Sequence, residues 1–84
     1  MATALSKWLM KRYATIWKTY RTTKIDFDKI QKKLDEDTKT LTVVLSELKK
    51  SGWITIEKDT ADKRRRVYQL RPPEEIVDEI ADNN

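Results

Sequence analysis

Residues 34–54 read LDEDTKTLTVVLSELKKSGWI, and the fold turns on how this stretch is parsed. Leu41, Val44, Leu45 and Leu48 stand at i, i+3, i+4 and i+7, which is one face of a helix. Asp37 or Thr38 is placed to start it, and Lys49 and Lys50 suit the negative end of its dipole. Gly52 follows, the single glycine of 84 residues, where a helix needs a left-handed residue just past its end. Beyond it the period changes from 3.6 to 2. Trp53 to Lys58 alternates as a strand, with Ile54 and Ile56 on one side.

The segments on either side complete the pattern. Upstream, IDFDKIQKKL (25–34) predicts a short helix capped by Asp26, with Ile25 and Ile30 at the spacing of a hydrophobic staple. It ends near Asp35-Glu36, so a turn of three or four residues separates it from the helix that follows, the helix-turn-helix spacing. Before that, Leu5, Trp8, Leu9, Tyr13, Ile16, Trp17 and Tyr20 recur at helical spacing and predict a helix over about 3–20, capped by Thr3. Downstream, residues 59–63 are polar and turn-like, and 66–70 alternate again with Tyr68 and Leu70 on one face. Pro72-Pro73 closes that strand and opens a short acidic helix over about 73–81, with Ile76, Val77 and Ile80 apolar. Residues 23–25 are positioned to add a third short strand. The expected fold is mainly α with a small β-hairpin (α+β). It is a winged helix-turn-helix in one domain over 1–84: a three-helix core with the helix-turn-helix at about 26–51, a wing at about 53–71, and a short C-terminal helix.

Composition narrows the chemistry. The chain has no cysteine and no histidine, which removes disulfides, thiolate or imidazole metal sites and histidine-based triads. One glycine excludes a phosphate-cradling glycine loop. Catalysis, a cofactor and a bound metal are therefore not expected. No apolar run approaches membrane-spanning length and no signal peptide is visible, so the expected location is cytoplasmic. The net charge of +4 is distributed in blocks. Residues 1–21 hold five bases and no acid, Lys63 to Arg66 form a run of four bases, and the last fourteen residues are acidic. Blocks of base favour polyanions through counterion release, although a charged face also serves plain solubility.

A helix that enters the major groove must offer short polar side chains near its start, and a wing beside the minor groove wants arginine at its tip. Thr38, Lys39, Thr42, Val43 and Ser46 lie opposite the core on the third helix, Thr40 adds a short polar side chain near its start, and Lys63, Arg64, Arg65 and Arg66 occupy the wing. These ten are the candidate DNA-binding residues. The three threonines lower helix propensity, so something other than helix stability favours them.

The strings IDFDKIQKKL, LDEDTKTLTVVLSELKKSGWI and DKRRRVYQLRP (62–72) resemble the MarR-type winged-helix regulators. Leu34, Asp37, Leu41, Val44, Leu45, Leu48, Lys50, Gly52, Trp53 and Ile54 fall on that family's helix-turn-helix frame. Asp62, Lys63, Arg64, Arg66, Tyr68, Leu70 and Pro72 fall on its wing. The resemblance implies that Thr38 to Ser46 read the major groove, that Arg64 with Lys63 makes the wing-tip contact, and that Asp62 orients it. Three positions depart from the family pattern: Val43 replaces a polar or basic reader, Glu36 an apolar turn residue, and Gln31 a small alanine.

The expected function is that of a DNA-binding transcriptional regulator acting on double-stranded DNA. A homodimer through helix 1, with the C-terminal helix as a second element, is the expected assembly, because a single winged helix makes few contacts. The alternative is a winged helix used as a protein-interaction module of a larger transcription or regulatory complex.

Overall fold

The computed structural model describes residues 2–58 and 65–82. Four helices and three strands follow one another as α1 (Lys7–Tyr20), β1 (Ile25–Asp26), α2 (Phe27–Leu34), α3 (Thr38–Lys50), β2 (Ile54–Lys58), β3 (Arg66–Leu70) and α4 (Pro73–Asp82). The strands form one antiparallel sheet in the order β1-β3-β2. β2 pairs along its whole length with β3, from Ile54 opposite Leu70 to Lys58 opposite Arg66. The architecture is a winged helix-turn-helix, as the sequence pattern implies.

The end of α3 shows why the single glycine stands where it does. Gly52 has φ +80, and its amide donates to the Lys49 carbonyl at 3.0 Å while the Trp53 amide donates to the Leu48 carbonyl at 2.9 Å. These two bonds are the paired closures of a Schellman motif, and buried Leu48 and Trp53 supply its apolar contact. Trp53 therefore belongs to the helix terminus, and β2 starts one residue later than alternation suggests, at Ile54.

The first helix starts later than the periodicity implies. Ser6, not Thr3, caps it, accepting from the Leu9 amide at 3.3 Å. Thr3 is engaged elsewhere. Its amide donates to the Ser51 carbonyl at 2.9 Å, and its carbonyl accepts from the Trp53 indole at 2.6 Å. Residues 2 and 3 thus form an arm laid across the helix–wing junction, with Ala2 buried against Gly52. Trp8, read as part of the apolar stripe, is 44% exposed and lies under the Arg12 guanidinium, 4.0 Å from its ring centre. The buried line of α1 runs instead through Leu9, Tyr13 and Ile16. The third strand falls at Ile25–Asp26 rather than 23–25, because the Thr23 amide turns back to the Tyr20 carbonyl at 2.9 Å and Ile25 is the first residue free to pair, with Tyr68.

The turn between α2 and α3 is built from Asp35, Glu36 and Asp37. Asp35 ends α2 in the left-handed region (φ 53), a conformation that Asp tolerates better than most residues. Asp26 and Asp37 cap the two helices, accepting from the Lys29 and Thr40 amides at 2.9 and 2.7 Å. Two family departures are compensated here. Glu36 receives the Arg12 guanidinium of α1 at 2.6 Å, and Gln31 donates to the Thr38 hydroxyl across the two helices at 3.1 Å.

α4 is held by Arg71. Its backbone amide donates to the Trp53 carbonyl at 3.0 Å and its guanidinium to the Gly52 carbonyl at 2.8 Å. The same guanidinium pairs with Glu75 at 3.0 Å and with Glu79. The Tyr13 hydroxyl donates to the Arg71 carbonyl at 2.6 Å, while its ring meets Trp53 edge-on at 4.9 Å between centres. Ile76 is the buried residue of α4; Val77 is 56% exposed.

Two outcomes are expected from this packing. Burial, with a smaller contribution from Glu74, pushes the Tyr13 phenol up to about 12, and Arg71 opposes them. Because the folded value lies above the ordinary one near 10, the stability tied to this proton is intact below pH 10 and is lost as the pH rises toward about 12. Tyr13→Phe should lower stability at neutral pH by about 1 kcal/mol for the lost hydrogen bond. Its urea midpoint should then decline less steeply than that of the parent through this alkaline range, with a residual slope from Tyr68, which burial also raises. Gly52→Ala should cost about 2 kcal/mol, seen as a fall in Tm of roughly 8–16 °C. The positive φ is one cause; the other is that a Cβ there meets the Ala2 backbone at 3.0 Å.

Candidate nucleic-acid interface

The core claims one side of α3 through Leu41, Val44, Leu45 and Leu48, so at 100° per residue the opposite side is defined. Lys39, Val43, Ser46 and Lys50 lie along its centre line, and all four are exposed. Thr42 and Lys49 lie beside them on the flank toward the sheet. Thr38 opens the helix and is exposed, whereas Thr40 is half-buried and faces away from the wing. The Thr40 hydroxyl and amide hold the Asp37 carboxyl below the usual carboxylate range, which ties Thr40 to the cap.

The hydroxyls of this surface are partly committed. Thr42 donates its proton to the Thr38 carbonyl one turn back, at 2.7 Å. The Thr38 hydroxyl accepts from Gln31. Val43 is half exposed at the centre of this face.

Between α3 and the hairpin runs a groove of about 550 Å³. Phe27, Leu45, Ile56 and Tyr68 line it with apolar surface, and Thr42 and Ser46 with hydroxyls. Lys49 from α3, Lys58 from β2 and Arg66 from β3 add three cations. Lys58 and Arg66 are direct partners across the hairpin, so two positive side chains rise together where the strands leave the body of the domain.

The two described bases of the wing, Arg65 and Arg66, have different surroundings. Arg66 lines the groove. Arg65 pairs with Asp26, the cap of α2, and so ties the base of the wing to the helix-turn-helix. The Lys29 amide first, and then the Arg65 guanidinium, hold the Asp26 carboxyl below the usual range. Lys63 and Arg64, with Asp62, lie outside the described residues. Thr42, Ser46 and Arg66 are brought together at the groove, while Lys39 and Val43 form the outer face. Lys49 and Lys58 were not among the sequence candidates. Lys49 could have been found at i+7 from Thr42, and Lys58 from the hairpin register, once its loop length was known.

Among the described residues no group of three His, Cys, Asp or Glu could hold a metal ion, and no helix is long and apolar enough to cross a membrane.

Comparison with known proteins bears on the fold and the family. No curated protein matches the chain. Solved structures do. A reduced AbfR bound to DNA superposes with a TM-score of 0.66 at 24% identity, over 93% of this chain and 56% of that one. A mutant MarR from E. coli complexed with operator DNA gives 0.68 at 22% identity, over 89% and 52%. A further MarR structure gives 0.67 at 25% identity, over 88% and 53%. The chain thus spans about half the length of the solved structures it matches. The model of the MarR family matches residues 8–65, from the first helix through the hairpin to the base of β3, and the chain belongs to that family.

Proposed function

We propose that this chain is a DNA-binding transcriptional regulator that lays α3 in the major groove of duplex DNA and rests its wing on the adjoining backbone. The observation that carries this reading is the groove between α3 and the hairpin, where Lys49, Lys58 and Arg66 converge beside the hydroxyls of Thr42 and Ser46. Three cations from three elements on one rim match a phosphate backbone, whose contacts position a reading helix. The DNA-bound AbfR and MarR structures share this fold and support the same use of it.

Thr38, Lys39, Thr42, Val43 and Ser46 are the proposed groove-facing residues. Thr40 serves the cap as well. Lys63, Arg64 and Arg66 are proposed for the backbone or minor groove, and Arg65 sets the angle of the wing through Asp26. The chain acts as a homodimer through α1 and α4. Trp8 and Met10 on α1 and Val77 on α4 supply exposed apolar surface, and α1 is basic where α4 is acidic, a charge complement suited to pairing across a dimer. The proposed location is cytoplasmic.

A protein partner on the same α3 face is the second reading, favoured by half-exposed Val43 at its centre. Capture of one stoichiometric protein partner, with no shift of any duplex, would decide for it.

Fluorescence anisotropy with a random-sequence duplex at several salt concentrations tests the first reading. The logarithm of affinity should fall linearly with the logarithm of salt, with a slope corresponding to roughly four to six phosphates per protomer. Lys49→Ala, Lys58→Ala and Arg66→Ala should each weaken binding to all duplexes alike and reduce the slope by about one. Affinity that does not change with salt would reject the proposal.

A further inference from the structure

We infer that α3 selects its site chiefly through the 5-methyl groups of thymine, with Val43 as the specificity-determining contact; the inference rests on the DNA-binding reading above. Major-groove edges offer acceptors, donors and one apolar feature, the thymine methyl. The outward face of α3 is poorly supplied to read the first two. In its first three turns Lys39 is the only cation, and there is no Arg, Asn or Gln to make a two-point contact with guanine or adenine. Thr42 has its proton on the Thr38 carbonyl, so it cannot donate to a guanine or to the thymine O4. With that hydroxyl turned back along the helix, Thr42 retains an acceptor oxygen and a γ-methyl. The Thr38 hydroxyl accepts from Gln31, which fixes its oxygen at the start of the helix, so the single protons of Thr38 and Ser46 are the hydroxyl donors this face retains.

Val43 lies at the middle of this face, one turn beyond Lys39, one turn before Ser46 and two turns before Lys50, and is 50% exposed. Its neighbours are a cation and hydroxyls rather than apolar side chains, so no apolar patch surrounds it that a protein partner would cover. The surrounding charge instead matches a polyanion: Lys39 and Lys50 flank it along the helix, and the groove cations Lys49, Lys58 and Arg66 lie to one side. A docked duplex brings the base edges to this residue. There an isopropyl group gains contact with a thymine methyl and only leaves polar edges unpaired against any other base. Lys39 then contributes a point charge, suited to a purine edge or a phosphate. The site this face prefers places thymine opposite Val43 in each half.

Uracil tests this directly, because replacing thymine with uracil removes the 5-methyl and changes nothing else. A site is first selected from random duplexes with the full chain. Each thymine of that site is then replaced in turn, and affinity is measured for the parent and for Val43→Ala. The variant keeps the fold, since the position is half exposed and alanine favours the helix. The expected result is a loss of about fourfold for one position per half-site, corresponding to about 0.8 kcal/mol for one buried carbon. Val43→Ala should bind the thymine and uracil forms of that position alike. Uracil tolerated at every position, or discrimination undiminished in Val43→Ala, would overturn the inference while leaving DNA binding intact. No binding to any duplex would overturn both.

Discussion

The helix–wing junction at Gly52 is the constraint on which the remaining structure depends. A left-handed residue there lets the Leu48 and Lys49 carbonyls be closed by the chain that is already turning into β2. The helix and the hairpin therefore share one backbone corner and cannot rotate far from each other. Three other parts of the chain converge on that corner. The arm at residues 2 and 3 covers it, Arg71 donates to its carbonyl, and Tyr13 packs on Trp53 just beyond it. A residue with a Cβ would strain the left-handed backbone and press on the arm at Ala2. This is the physical reason that a chain so poor in glycine keeps one here.

The start of β3 has a different anchor. Asp26 caps α2 and also receives Arg65, so a single carboxylate ties the base of β3 to the helix-turn-helix. Arg12 and Glu36 fix the turn to α1 in the same manner. Such exposed or half-exposed pairs add little to stability singly, but they set angles between elements that the small core contacts on one side only. The result is an α3 whose outward face and neighbouring groove are presented as one surface.

Much of the fold was legible in the sequence because periodicity reports directly on burial. The four apolar residues of α3, the cap at Asp26, the turn after Leu34 and the two alternating strands are local features, each decided within about ten residues. The candidate site was legible in part. The face of α3 follows from the helix phase alone. The role of Arg65 does not, because its partner lies 39 residues away and nothing local distinguishes it from Arg66. Lys49 and Lys58 were passed over for the same reason: they become site residues only when β2 and β3 are registered and folded against α3.

The sequence by itself determined the order of elements, the polarity of each helix, the absence of cysteine and histidine chemistry and the concentration of base around residue 65. These are properties of composition and short-range spacing. Tertiary structure alone decided that Thr3 leaves the first helix to bind Trp53, that Trp8 lies under a guanidinium instead of in the core, and that Arg65 goes to a cap while Arg66 goes to a groove. Each of these depends on which distant group arrives within hydrogen-bond or packing distance. That outcome is set by the competition among whole elements for a limited buried surface, and local spacing carries no record of it.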